Sequence, residues 1–187
     1  GPVCGPSRSS LLSGYRPSTT GVYGNSNNML NSMLVQKEPT LPEYFSKNGY
    51  VTISSGKIFH KHRMSAGIDH GHWAYDIWEK ESGNDGVDPA TMYSRHKGII
   101  NGEEKEGAAK AGKGVDLVWG ATQGPKSGTK DYRTAKWFEQ KLQEDYDKPF
   151  FMLAGLSKPH LPFVVPQEFY DQFGLDTLEV PEFSLDD

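Results

Sequence analysis

A single cysteine, Cys4, stands in a chain of 187 residues. One thiol excludes an internal disulfide framework and a cysteine-rich zinc site, so whatever Cys4 contributes is chemical rather than a cross-link. No stretch approaches the ~18 consecutive apolar residues that an α-helix needs to cross a bilayer. Positive charge is the minority sign, with 20 Lys and Arg against 24 Asp and Glu for a formal net charge of −4. Without a sustained basic run, nucleic acid is a poor candidate partner. Internal repeats, low-complexity tracts and an interdomain linker are lacking as well. What the chain does have is 21 Gly, 12 Pro and 12% aromatic residues. That profile belongs to a turn-rich globular protein, not to a disordered one. The length suits one domain or a large piece of one.

Candidate chemistry sits at the first residues, Gly1-Pro2-Val3-Cys4, with neither an initiator Met nor a charged-then-apolar leader. Termini usually fray, so the expectation is a fragment whose upstream part lies elsewhere. Residues 4–14 predict a short helix with Cys4 at or just before its start. Pro6 suits the first turn, Leu11 and Leu12 give a small apolar stripe, and Gly14 suits the left-handed residue that ends a helix. Residues 15–39 are polar and turn-rich, including Gly24-Asn25-Ser26-Asn27-Asn28, and read as a surface excursion. Thr40 and Glu43 have the spacing of a capping box, opening a helix to about residue 48. Residues 50–54 then read as a strand, with Ser55-Gly56-Lys57 as the turn leaving it. A helix feeding a strand is the pattern of an α/β fold.

Residues 61–130 show neither period and read as an irregular insertion in which short elements hide. Over residues 131–146, Ala135, Phe138, Leu142 and Tyr146 fall on one helical face. The apolar run 149–156 suits a strand covered on both faces in a parallel sheet, followed by a loop over 157–163. Residues 166–173 read as one more short helix.

Ligands in open α/β sheets bind beyond the carboxyl ends of strands. Lys57 and His60 follow one predicted strand in this way, and Lys158 and His160 follow another. Cys4 and Arg8, four apart, share a helix face, and a helix N-terminus favours negative charge beside Cys4. One nucleophile, three cations and two imidazoles form an inventory suited to a small tetrahedral oxyanion. Blander readings stand beside each. A free cysteine is usually a small buried side chain, with a thiolate nucleophile between the extremes. Lys57 on a turn suits plain solvation, and His160 between prolines suits packing in its loop. His60, His62, His70 and His72 make two His-x-His pairs that superficially suggest zinc, but no carboxylate or thiolate at ligand spacing completes a site. His62, Arg63 and His72 are weak candidates for a cleft lining. Trp73 and Trp78 offer faces for a sugar ring but suit core packing better, and the charge run over 103–113 suits a solvated face.

The segment Cys4-Gly5-Pro6-Ser7-Arg8-Ser9-Ser10-Leu11-Leu12-Ser13-Gly14 resembles the type I sulfatase signature, which opens Cys-x-Pro-Ser-Arg and continues to a leucine and a glycine, here Leu11 or Leu12 and Gly14. Gly49-Tyr50-Val51-Thr52-Ile53-Ser54-Ser55-Gly56-Lys57-Ile58-Phe59-His60 and Ser157-Lys158-Pro159-His160-Leu161-Pro162-Phe163 resemble two further blocks, closest to the iduronate-2-sulfatase-like branch. The resemblance implies an alkaline-phosphatase-like α/β fold, with residues 1–187 forming part of its N-terminal catalytic domain around a mainly parallel central sheet. It implies a sulfuric ester hydrolase acting on a sulfated small molecule or glycan. Cys4 would be converted to Cα-formylglycine by a formylglycine-generating enzyme that recognises Pro6 and Arg8.

In that family one hydroxyl of the formylglycine hydrate, activated on a divalent metal, attacks sulfur and displaces the alcohol, and the other then expels sulfate and regenerates the aldehyde. Arg8 would neutralise the oxyanion of residue 4, a role in which Lys is a poor substitute. Lys57 and His60 would contact the formylglycine and the sulfate, Lys158 would clamp sulfate oxygens, and His160 would bind sulfate and protonate the leaving oxygen. Ca2+ is the implied cofactor. Only Cys4, as formylglycine, would be a metal ligand within this chain, so the isolated chain is expected to bind calcium poorly and to turn over nothing. Gly56-Lys57-Ile58-Phe59-His60 is one residue longer than the Gly-Lys-x-His of many sulfatases, as in the iduronate-2-sulfatase-like branch. A formylglycine-dependent phosphonate or phosphate monoesterase and a non-catalytic sulfated-glycan binder are the alternatives. Members of the family are periplasmic, secreted or lysosomal.

Overall fold

Short helices alternate with strands along the chain. A computed structural model describes residues 2–60, 62–64, 67–69, 74–80, 82–83, 93–94, 99–100, 103–104, 118–122 and 124–179. The chain divides into two units, Gly1–Ser82 with Lys130–Ser157, and Gly83–Thr129 with Lys158–Asp187.

In the first unit, α1 (Cys4–Ser13) ends at Gly14, whose φ of 74° lets its N–H reach back to the Ser10 carbonyl at 2.9 Å. Next come α2 (Pro17–Thr20), a single 3₁₀ turn at Met29–Asn31 and α3 (Met33–Lys37). Most of residues 15–39 lie at the surface as expected, but the segment is anchored rather than a free excursion. Val22, Met29 and Val35 are buried in one core with Leu12, Ile58, Phe59 and Ala74. The three anchors sit singly among polar neighbours at irregular spacing, so neither period betrays them. The capping box opens α4 (Leu41–Lys47), with the Glu43 carboxylate accepting the Thr40 N–H at 2.8 Å. Phe45 of that helix stacks on Phe151 at 3.9 Å and meets Tyr50 edge-on, seating α4 on the sheet.

β1 (Val51–Gly56) leads to a small antiparallel pair, β2 (His62–Met64) with β3 (Gly67–Asp69), and then to β4 (Ile77–Glu79). After α5 (Lys130–Lys141) comes β9 (Phe150–Gly155). β1 is central in the order β4-β1-β9 and both pairings are parallel, with Ile53 opposite Ile77 and Met152. Thr52, Ile53, Ser54 and Ser55 are all buried. β9 is less covered than its apolar run suggested. Among the described residues it pairs only with β1, and Phe150 is 44% exposed. α5 stops at Lys141, where the Tyr146 hydroxyl donates to the Lys141 carbonyl. It buries Thr134 and Phe138, while Ala135 and Leu142 face solvent.

The second unit holds β5 (Tyr93–Ser94), β6 (Ile99–Ile100), β7 (Glu103–Glu104), β8 (Val118–Thr122) and β10 (Phe163–Pro166), in the order β10-β8-β5-β6-β7. β10 and β8 run parallel and the remaining pairs antiparallel. Strand segments therefore occur within 61–130, short enough that no alternation could register. α6 (Gln167–Tyr170) is a single turn, shorter than expected. It is held by Glu168, which pairs with Lys126 at 2.8 Å, and by Phe169, over which the same ammonium sits. Trp78 is 45% exposed and so is not core packing. No helix among the described residues is long and apolar enough to cross a membrane.

Candidate functional site

Cys4 is the first residue of α1 and is half-buried. The donors of that first turn are largely used within the protein. The Gly5 N–H donates to Asn25 Oδ1 at 2.8 Å, Pro6 has no N–H, and the Ser7 N–H donates to the Val3 carbonyl at 3.1 Å. The helix dipole still favours negative charge at residue 4, but the backbone of this turn offers few hydrogen bonds to an anion. Charge stabilisation falls to side chains.

Arg8, one turn on, is the first of these. Its Nη1 donates to the carbonyls of Lys57 and of Ile58, the latter at 3.1 Å. The clamp leaves the N–H groups of Nη2 and Nε for other acceptors. It also ties α1 to the exit of β1, where the chain is set by a glycine pair. Gly56 has φ 79°, and a Cβ there would lie 2.0 Å from the Gly155 carbonyl oxygen. A Cβ on Gly155 would lie 2.4 Å from the Lys57 carbonyl carbon. Only glycines permit this approach, which lets the Lys57 N–H donate to the Gly155 carbonyl at 2.8 Å. Ile58 and Phe59 then drop into the core, so Lys57 and His60 bracket a buried pair. Tyr75 packs edge-on against Phe59, and burial pushes its hydroxyl far above the ordinary range, keeping it protonated.

Lys158 and His160 belong to the second unit. Lys158 Nζ donates to the Pro162 carbonyl at 2.7 Å, and His160 Nδ1 lies 2.7 Å from the Leu161 carbonyl. A carbonyl can only accept, so Nδ1 carries hydrogen in that contact and Nε2 is the ring nitrogen left for a ligand. The preceding Ser157 lies in the first unit, its N–H held by Asp131 Oδ1 at 2.7 Å.

Within the first unit, Cys4, Arg8 and the Lys57 backbone are thus joined through α1 and β1, with His60 three residues further on. His70, His72 and Trp73 lie outside the described residues, as does most of the 103–113 charge run, and the side chains of His62 and Arg63 are not described. Among the described residues no three His, Cys, Asp or Glu side chains group to hold a metal ion. A hard cation takes about six oxygen ligands, so these residues do not by themselves fit a calcium site. A cleft of about 250 Å³ lined by Ser55, Lys80, Tyr132, Arg133 and Trp137, among others, includes none of the predicted site residues. Asn25 was missed by sequence reasoning. The run Gly24-Asn25-Ser26-Asn27-Asn28 signals local turn bonds such as those Asn27 accepts, but nothing in it points to a partner 20 residues away.

The sulfatase family model matches residues 1–182. The chain belongs to the sulfatase family. Over 206 residues it is 32% identical to a sulfatase of Formosa agariphila, covering 100% of this chain and 35% of that protein. It is 31% identical to human iduronate 2-sulfatase over 190 residues, covering 96% of this chain and 32% of the relative. The chain spans about a third of the length of the curated relatives it matches. A solved structure of a protein in complex with its substrate D-glucosamine-2-N,6-O-disulfate shares 20% identity with a TM-score of 0.45, covering 85% of this chain and 25% of that one. The sheet β4-β1-β9 is wholly parallel, as the α/β pattern of the sequence leads one to expect.

Proposed function

We propose that this sulfatase-family chain carries the nucleophile-bearing part of a sulfuric ester hydrolase that removes sulfate from carbohydrates. One observation carries the reading: Arg8 is clamped to the carbonyls of Lys57 and Ile58. That bond fastens the Cys4 helix to the Gly56-Lys57 turn, joining two of the sequence blocks on which the family resemblance rests.

Cys4 is the precursor of Cα-formylglycine, installed by a formylglycine-generating enzyme. Once hydrated, that residue supplies an oxygen nucleophile with an internal route to sulfate release, which a thiol lacks. Arg8 holds residue 4 from the same helix face and offsets negative charge there. Lys57 and Lys158 bind sulfate oxygens, Lys57 with its position fixed by the Gly56–Gly155 approach. His60 contacts the sulfate, and His160, with Nδ1–H turned to the Leu161 carbonyl, delivers a proton from Nε2 to the leaving alcohol oxygen. The described residues alone do not complete a calcium site. The preference for a sulfated glycan is supported by likeness to a relative named iduronate 2-sulfatase. The compartment proposed is periplasmic, secreted or lysosomal.

Turnover of an aryl sulfate and an aryl phosphonate by the full-length parent tests the reaction class. The expected result is faster turnover of the sulfate. Preferential phosphonate hydrolysis would reassign the chain to a phosphonate monoesterase, and turnover of neither ester would favour a glycan-binding role.

A further inference from the structure

We infer that Asn25 is a positioning residue for the nucleophile, an inference that rests on the proposed sulfatase reading. Val3, the residue that caps the start of α1, supplies no side-chain cap. The amide between residues 4 and 5 is held instead from outside the helix, by the 2.8 Å bond from the Gly5 N–H to Asn25 Oδ1. Fixing that peptide plane fixes ψ of residue 4 and the direction in which its side chain leaves the backbone.

Asn25 is itself delivered by a hydrogen-bonded turn. Asn27 Oδ1 accepts the N–H of Tyr23 at 3.1 Å and of Gly24 at 2.8 Å, and the Asn27 N–H returns to the Gly24 carbonyl at 3.1 Å. Buried Val22 and Met29 anchor the two sides of the turn in the core. The fit at Gly5 is equally close, since a Cβ there would meet Asn25 Oδ1 at 3.0 Å and the Gly24 carbonyl at 3.1 Å. Glycine at position 5 and the asparagine carbonyl thus make a matched pair, and residue 4 is aimed by a loop 20 residues away. Chemistry at sulfur requires an in-line approach, and small misplacements of a nucleophile reduce turnover steeply.

The test uses the full-length enzyme with Asn25→Ala and Asn25→Asp. It measures kcat and KM on an aryl sulfate, the formylglycine fraction by peptide mass spectrometry, and Tm. Per formylglycine-bearing molecule, Asn25→Ala is expected to lower kcat about tenfold with KM within about twofold. Asn25→Asp keeps the acceptor and is expected to hold kcat within about threefold of wild type. Wild-type kcat per modified molecule in Asn25→Ala, or an equal loss in both variants, would overturn the inference. If Asn25→Ala does not fold, Asn25→Asp decides alone: near-wild-type kcat supports the acceptor role and a tenfold loss refutes it. A wild-type enzyme with no sulfate turnover would strike the sulfatase reading itself, and the inference with it. An active wild type with an indifferent Asn25→Ala would strike the inference only.

Discussion

The Cys4–Arg8 segment and the Lys158–His160 loop are held by different kinds of bond. Around Cys4 the ties are non-local: Gly5 is held by Asn25, Arg8 by residues 57 and 58, and Lys57 by Gly155. Around Lys158 and His160 two side-chain contacts are local, reaching the carbonyls of residues 162 and 161. Non-local ties close long loops and depend on the whole core, so breaking one moves elements. Local ties shape the loop in which they lie. The nucleophile helix is therefore expected to couple activity to stability, and the cationic loop to separate them.

Arg8→Ala in the full-length enzyme is the most severe break. It removes both the clamp and the charge beside residue 4, and activity should fall about a thousandfold. Near-normal turnover would take Arg8 out of the site. Gly56→Ala forces a Cβ to within 2.0 Å of the Gly155 oxygen at positive φ. Urea unfolding of the full-length protein should show a loss of about 3–4 kcal/mol; a loss within error would mean the β1 exit is not so constrained. Met29→Ala should destabilise by about 2–3 kcal/mol through the cavity it leaves, whereas a surface excursion over 15–39 would show almost nothing. Lys158→Ala sharpens the contrast, because activity should fall while stability changes by only about 1 kcal/mol. Smallest of all, Lys126→Ala breaks an exposed pair with Glu168 and should shift stability by under about 0.5 kcal/mol.

What the sequence made legible follows the same division. The helix from Cys4, its Gly14 stop, the Thr40–Glu43 box and the strands near 50 and 150 all rest on local chemistry, namely caps, a left-handed glycine and apolar runs. The site residues were legible as motifs, although their roles rest on the proposed reading. Their supports were not. Asn25 sits in a polar turn that looks like solvent-facing chain, and its partner is set by tertiary approach. The buried trio Val22, Met29 and Val35 shows no period. β9 looked covered on both faces because apolar content reports the wish to be buried, not the neighbour that buries it. Strands two residues long within 93–104 lie below what any alternation can signal.

The account centres on residue 4 being an aldehyde held at the start of α1. Peptide mass spectrometry over residues 1–16 of the full-length protein, isolated from a host that carries a formylglycine-generating enzyme, tests this most directly. The account predicts that residue 4 reads as formylglycine, and a peptide carrying only the unmodified Cys4 thiol would contradict it.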